Sequence, residues 1–316
     1  MANNLEFAEI YQDFIDEELV AESKSGWMTP QDDLIEYEGG DTVKIAEIDV
    51  SGLGDYDRNN TATAYPAGSV TTKWRDYIFA QDRAVEFQLD RLDPGDTRYT
   101  ATAENVVREF ARTKLVREQD MYRYNRVYAA IAGNTDLAPT HVVSSAGITA
   151  ANILSVLNGL KSTVEDDSES TMELVCAMPL TLKNLIPETS STNRHRVFFG
   201  ESVSINGVVY DDVTIVNDLP ILWVPTKRLQ TVIKINDGRT AGQTQGGIDA
   251  DSTSKQIYGL ICGIDAIKAL GKLDELKVFG NEENQRFSGT AIQSRYVYDA
   301  WAMYRKMATI GAIIAE

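Results

Sequence analysis

Histidine and cysteine are the scarcest reactive groups in this chain, with two of each. Metal centres draw on clustered His, Cys and carboxylates. His141 and His195 stand far apart, and neither belongs to an HExxH or CxxC pattern; both are expected to be ordinary polar residues. Cys176 and Cys262 each lie in an apolar stretch, LVCAM and GLICGI, the pattern of small buried thiols in a reducing compartment. No GxxxxGK[ST] phosphate loop is present, and GESVS at 200–204 lacks the second glycine of a nucleophile elbow. The stretch Asp55-Tyr56-Asp57-Arg58-Asn59 begins like a calcium loop. However, Asn60 stands where that loop needs glycine, and Pro66 where it needs a bidentate glutamate. No apolar run approaches the roughly 18 residues of a membrane span. MANNLEFAEI has neither the basic nor the apolar region of a secretory leader. The expectation is a cytosolic product with no cofactor, no metal and no positive sign of catalysis.

Basic charge is the other shortage. Lys and Arg number 30 against 47 Asp and Glu, a formal net charge of −17. That balance argues against sequence-independent nucleic-acid binding, which neutralises phosphates, and against anionic membrane surfaces. The acid is concentrated: residues 1–36 hold ten carboxylates, from Glu6 to Glu36, and one base, Lys24.

Within that segment, Phe7, Ile10, Tyr11, Phe14, Ile15 and Leu19 repeat at helical spacing over 5–19, opposite Glu6, Glu9, Asp13, Asp16 and Glu17. Such an acidic amphipathic helix docks either on its own domain or, as an arm, on a neighbouring subunit. A strand comes next at 43–50, with a phase slip near Ala46 that predicts a bulge. Its expected partner is 70–79, rich in β-branched and aromatic residues. The connection between them, SGLGDYDRNNTATAYPAG, is far longer than a hairpin needs, so its tip is expected to be functional or mobile. A third strand, 85–89, brings the chain back.

After the turn at Asp93-Pro94-Gly95-Asp96, residues 103–131 hold no Pro or Gly. Thr102 is placed to cap a helix there and Gly133-Asn134 to stop it. About 29 residues make a rod of roughly 44 Å. A regular period gives the stripe Val107, Phe110, Lys114, Arg117, Met121, Tyr124, Tyr128, Ile131, apolar at both ends and basic in the middle, as if bridging two packing sites. The rod carries six bases (Arg108, Arg112, Lys114, Arg117, Arg123, Arg126) against four acids (Glu104, Glu109, Glu118, Asp120). Glu104–Arg108 and Lys114–Glu118 are spaced to pair. The basic surface suits solvent, an acidic neighbour or packaged DNA.

The remainder is mixed α/β. A helix is expected over 150–164 with Thr149 as its cap, then a solvated acidic loop at 165–169, a strand at 174–178 and a small helix between Pro179 and Pro187. Asn206-Gly207 inside 203–210 predicts a type I′ hairpin. Further strands are expected at 213–216, 221–224, 257–264 and 292–303, with a flexible connection at 238–247.

This order of elements resembles the major capsid proteins of tailed bacteriophages with the Hong Kong 97-type fold. The wording is similar as well, over most of the chain. YEGGDTVKIAEIDVSGLGDYDRN, GSVTTKWRDYIFAQDRAVEFQLDRLD and TAENVVREFARTKLVREQDMYRYNRVYAAIA look like the extended loop and spine helix of that family. ESVSINGVVYDDVTIVNDLPILWVPTKRL looks like its β segment ending in VP-x-x-R, here Val224-Pro225-Thr226-Lys227-Arg228. IYGLICGIDAIKAL and IQSRYVYDAWAMYRKMATIGAII look like its C-terminal strands.

The resemblance implies an α+β fold with residues 1–36 as N-arm and 37–82 as extended β-hairpin loop. Residues 83–146 would form the spine helix and peripheral domain, completed by 286–316, and 147–285 mainly the axial domain. It implies a structural subunit, not an enzyme, that self-assembles as pentamers and hexamers into an icosahedral head. That head would enclose double-stranded DNA without specific binding and would be built in the bacterial host cytoplasm. No long scaffolding extension precedes the arm, so a separate scaffold protein is expected, or its removal, together with a portal. Lysine–asparagine cross-linking through Lys44 or Lys73 is conceivable. Interface anchors would be Trp74, Tyr77 and Phe79, since aromatics dominate such contacts, with Phe7 and Phe14 of the arm and Arg108, Arg112 and Arg117 of the spine. Two alternatives stay open: an encapsulin-like compartment shell, and a cytosolic hydrolase of unrecognised type.

Overall fold

The computed structural model describes residues 23–30, 35–36, 42–56, 58–59, 65–90, 103–169, 173–186, 196–281 and 287–316. The chain divides into two units, residues 31–81 and the rest. The helix expected over 5–19, the turn at 93–96 and the Thr102 cap lie outside the described residues.

The smaller unit is a three-stranded antiparallel sheet of β1 (Ile35–Glu36), β2 (Thr42–Val50) and β3 (Val70–Ile78). β2 and β3 pair without interruption from Thr42 opposite Ile78 to Val50 opposite Val70. The bulge expected at Ala46 is therefore absent: small Ala46 sits opposite Trp74 in regular register. The base of the long connection is fastened. The Ser51 N–H donates to the Ser69 carbonyl, the Ser69 N–H donates to Ser51 Oγ (both 2.9 Å), and the Tyr56 and Tyr65 rings meet edge-on at 4.9 Å.

The larger unit begins with β4 (Gln81–Asp90). One long helical rod comes after it: α1 (Ala103–Phe110), a π turn (Ala111–Leu115) and α2 (Val116–Ala132). Then come α3 (Ala138–His141), β5 (Val142–Ser145), α4 (Ile153–Ser168), β6 (Leu174–Pro179), β7 (Val197–Ile205), β8 (Val208–Val216) and β9 (Leu219–Val224). The chain closes with β10 (Ile233–Ile235), β11 (Ile248–Ala250), β12 (Ile257–Gly263), β13 (Ile267–Phe279), β14 (Gly289–Ala302) and β15 (Gly311–Ala315). A seven-stranded mixed sheet, β5-β15-β12-β6-β9-β8-β7, forms the middle layer. The C-terminal half of the rod covers one face through Tyr124, Val127 and Ile131. Helix α4 covers the other through Ile153, Leu154, Leu157, Leu160 and Val164. Each such side chain contributes about 1.5–3 kcal/mol on full burial. A second sheet, β13-β14-β4, lies against the N-terminal half of the rod, where Val107, Ala111, Leu115 and Met121 meet Phe87, Leu89, Leu276, Ile292 and Tyr296.

The rod thus bridges two cores, but not through an interrupted stripe. A π turn contains one residue more than an α turn and so rotates the helix beyond it. Ala111 and Leu115 carry the buried line past exposed Lys114, while Phe110 stays half-buried with its ring edge-on to Phe87 (5.2 Å). Glu118 does not pair with Lys114: it is held by Arg83 (2.7 Å) and accepts from the Tyr298 hydroxyl (3.1 Å). The rod ends at Gly133 as expected, though with right-handed backbone, its N–H donating to the Ala129 carbonyl.

Two further expectations change. Thr149 does not cap the next helix through its side chain; Asn152 Oδ1 accepts from the Thr149 N–H (2.7 Å) and the helix starts at Ile153. It then runs through the acidic stretch to Ser168, because Asp167 is not merely solvated. Its carboxylate bonds fully buried His141 Nε2 (2.8 Å), while His141 Nδ1 faces the Ile310 carbonyl (2.7 Å). The stretch 238–247 is a tied hairpin tip: Asp237 accepts from the Arg239 and Thr240 N–H groups and from the Thr240 hydroxyl. These bonds, the hydroxyl first, hold its carboxyl down to about 2. The Asn206-Gly207 turn has positive φ at both residues (47° and 78°), as a type I′ hairpin requires. Asn217-Asp218 makes a second turn of this kind between β8 and β9 (48° and 66°).

Candidate self-association surface

Directly opposed residues of an antiparallel pair share a face, and alternate residues along a strand do the same. In the smaller unit this places Ile48, Val50, Val70, Trp74 and Ile78 together on one face. All are exposed, Trp74 at 52% and Ile78 at 63%. Thr42, Lys44, Thr72 and Asp76 share that face with them, so it offers exposed apolar groups in a polar setting, a candidate for contact. The opposite face carries buried Val43 opposite half-buried Tyr77. Of the three aromatic anchors expected from sequence, Trp74 therefore lies on the open face and Tyr77 on the other. Phe79 is half-buried beyond the strand end. Phe7 and Phe14 lie outside the described residues.

The expected basic anchors are not gathered into one patch. Arg108 is half-buried in α1. Arg112 is exposed and pairs with Glu109 of its own helix (2.9 Å). Arg117 reaches Asp249 of β11 (2.9 Å), an ion pair inside the same chain. Pairs this exposed contribute little to stability.

Sequence reasoning places Asp120 among the charges of the rod, yet it is fully buried. Its carboxylate accepts from the Ser23 hydroxyl (2.8 Å), the Lys24 N–H (3.0 Å), the Ser25 hydroxyl (2.6 Å) and Arg228 Nη1 (2.7 Å). Arg228 is the last residue of the VP-x-x-R motif, the one signal in the sequence that points here. Burial pushes the guanidinium of adjacent Arg123 down, and the hydroxyl of Tyr210 up to about 12. A second buried acid, Asp299, accepts from the Tyr122 hydroxyl (2.8 Å).

Burial pushes the Cys176 thiol up to about 12 and raises that of Cys262 as well. The two lie on neighbouring strands but belong to the cores on opposite faces of the sheet. Among the described residues no group of His, Cys, Asp and Glu is arranged to hold a metal ion, and no helix is long and apolar enough to cross a membrane.

No protein-family model matches the sequence, and no curated protein is similar to it. Solved structures are similar in fold. The mature capsid of bacteriophage PhiM1 is 14% identical over 88% of this chain and 83% of that one, with a TM-score of 0.56. The capsid of the cyanophage P-SCSP1u is 11% identical over 89% and 85%, with a TM-score of 0.59. A virus-like particle from Pyrococcus furiosus is 8% identical over 98% and 100%, with a TM-score of 0.52. The chain has an α+β fold of the phage-capsid type.

Proposed function

We propose that this chain is a shell-forming subunit, the major capsid protein of a tailed bacteriophage. The observation that carries the reading is likeness of fold along nearly the whole of this chain and of the compared capsid subunits. On this reading copies assemble as pentamers and hexamers into an icosahedral head that encloses double-stranded DNA, in the virion and, before that, in the host cytoplasm. A separate scaffold protein and a portal take part. Residues 1–36 act as N-arm, 37–82 as extended loop, 83–146 with 286–316 as spine and peripheral domain, and 147–285 mainly as axial domain. The protein works as a structural element and not as an enzyme.

The charge layout supports a mechanism for association. The segment 1–36 is strongly acidic, while Arg112 and Lys114 project from the rod. Arg108, Arg112 and Arg117 meet acidic surface on a neighbour, as do the bases beside them, and Phe7, Phe14, Trp74, Tyr77 and Phe79 supply apolar anchors. Reversing both Arg108→Glu and Arg112→Glu is expected to abolish particles while leaving folded, soluble subunits in size-exclusion chromatography. Normal particles from the double variant would sink the electrostatic part.

The likeness to the Pyrococcus furiosus virus-like particle, which covers 98% of this chain and all of that one, favours one second reading, a compartment shell. Nuclease-protected DNA inside purified particles supports the phage head; enclosed protein without DNA supports the compartment.

A further inference from the structure

Residues 23–30 join the acidic N-terminal segment to the unit of residues 31–81, and within the larger unit they are fastened as a clip. Ser23 and Ser25 both turn their hydroxyls onto Asp120, with the Lys24 N–H between them on the same carboxylate. The Tyr124 hydroxyl donates to the Lys24 carbonyl, and Arg123 reaches the Ser25 carbonyl (3.3 Å). The Trp27 backbone N–H donates to the Tyr210 hydroxyl (3.0 Å), and Asn206 Nδ2 donates to the carbonyls of Trp27 (2.7 Å) and Thr29 (2.9 Å). Trp27 and Met28 are buried in the core.

Packing of Trp27 and Met28 alone would tolerate small shifts of the chain. The polar contacts do not, because a slip of one residue would present Lys24 and Gly26 where two hydroxyls are needed. A Cβ on Gly26 would also come within 3.3 Å of the Tyr210 hydroxyl. The rod, the β7–β8 turn and Tyr210 thus read one register of one short segment, and a single carboxylate, itself held by Arg228, fixes its first half.

We propose that this clip gates self-association: only a subunit with residues 23–30 locked on Asp120 holds both flanking segments at a fixed origin and enters the shell. The inference rests on the shell reading above. Peptide groups bonded in this way are shielded from proteases, so trypsin cleavage after Lys24 reports the open clip. The test compares the unsubstituted chain with Asp120→Asn and with the milder double variant Ser23→Ala/Ser25→Ala, which keeps the Asp120–Arg228 pair. Far-UV circular dichroism monitors folding. The serine variant, which loses two bonds to a charged acceptor, is expected to be folded and cut after Lys24 about a hundredfold faster. It is also expected to form no particles under conditions where the unsubstituted chain does. If Asp120→Asn fails to fold, the serine variant carries the result alone. Unchanged cleavage, or normal particles from a variant that is cut faster, overturns the gate. Absence of particles from the unsubstituted chain, both alone and with its scaffold protein, overturns the shell reading instead, and the cleavage rates tell the two failures apart.

Discussion

Helix α4 crosses the end of the sheet so closely that one methyl group measures the fit. A Cβ on Gly311 would meet Leu160 Cδ1 at 2.8 Å and Val164 Cγ2 at 2.9 Å. Gly311→Ala is therefore expected to destabilise the subunit by about 1–3 kcal/mol, the usual result of overpacking, read as a lower urea midpoint with an unchanged slope. A loss below about 0.5 kcal/mol would mean that the helix yields. Residues of this kind are poorly legible in sequence: nothing around Gly311 says which helix lies above it. Asp120 is a similar case. Among four acids on a basic rod it looks like one more solvated charge, and only the fold brings two serines and an arginine distant in sequence onto it. His141 and Asp167 are hidden the same way, since in sequence one reads as an ordinary polar residue and the other as part of a loop.

Elements are more legible, with exceptions that have a physical cause. The strands of the smaller unit follow from β-branched and aromatic runs, but the phase slip near Ala46 misleads, since their ladder is regular there. The Asn206-Gly207 hairpin follows from turn chemistry. The rod's length follows from 29 residues without a breaker. Its buried line does not, because a regular period cannot register the extra residue of the π turn. Deleting Thr113 restores a regular helix and rotates Val107 by about 100° relative to Met121. That takes Val107 and Ala111 off the second sheet, and chemical denaturation is expected to find the variant about 2–5 kcal/mol less stable. A neutral deletion would mean that the rod can rewind without cost. The open face of β2 and β3 makes a contrasting prediction. Trp74→Ser with Ile78→Ser removes side chains already in water, so subunit stability should stay within about 1 kcal/mol. Association should weaken by about a hundredfold or more if these are contact anchors, as light scattering during assembly would record. Undiminished association would remove this face from the account.

For the whole molecule, the order of elements in the sequence resembles that of a capsid subunit. The fold agrees with that resemblance at sequence identities too low for any single segment to decide it. Fold alone does not make a function. On the proposed reading three surfaces carry the function: the open face of β2 and β3, the exposed bases of the rod and the acidic N-terminal segment. All are expected to act between copies. The most direct measurement is electron microscopy of the purified, expressed chain, with sedimentation velocity on the same sample. Closed shells of uniform diameter, in equilibrium with smaller ring-shaped assemblies, are the predicted result. A stable monomer or small oligomer at every concentration and ionic strength tried, alone and with the scaffold protein of the same genome, would contradict the account.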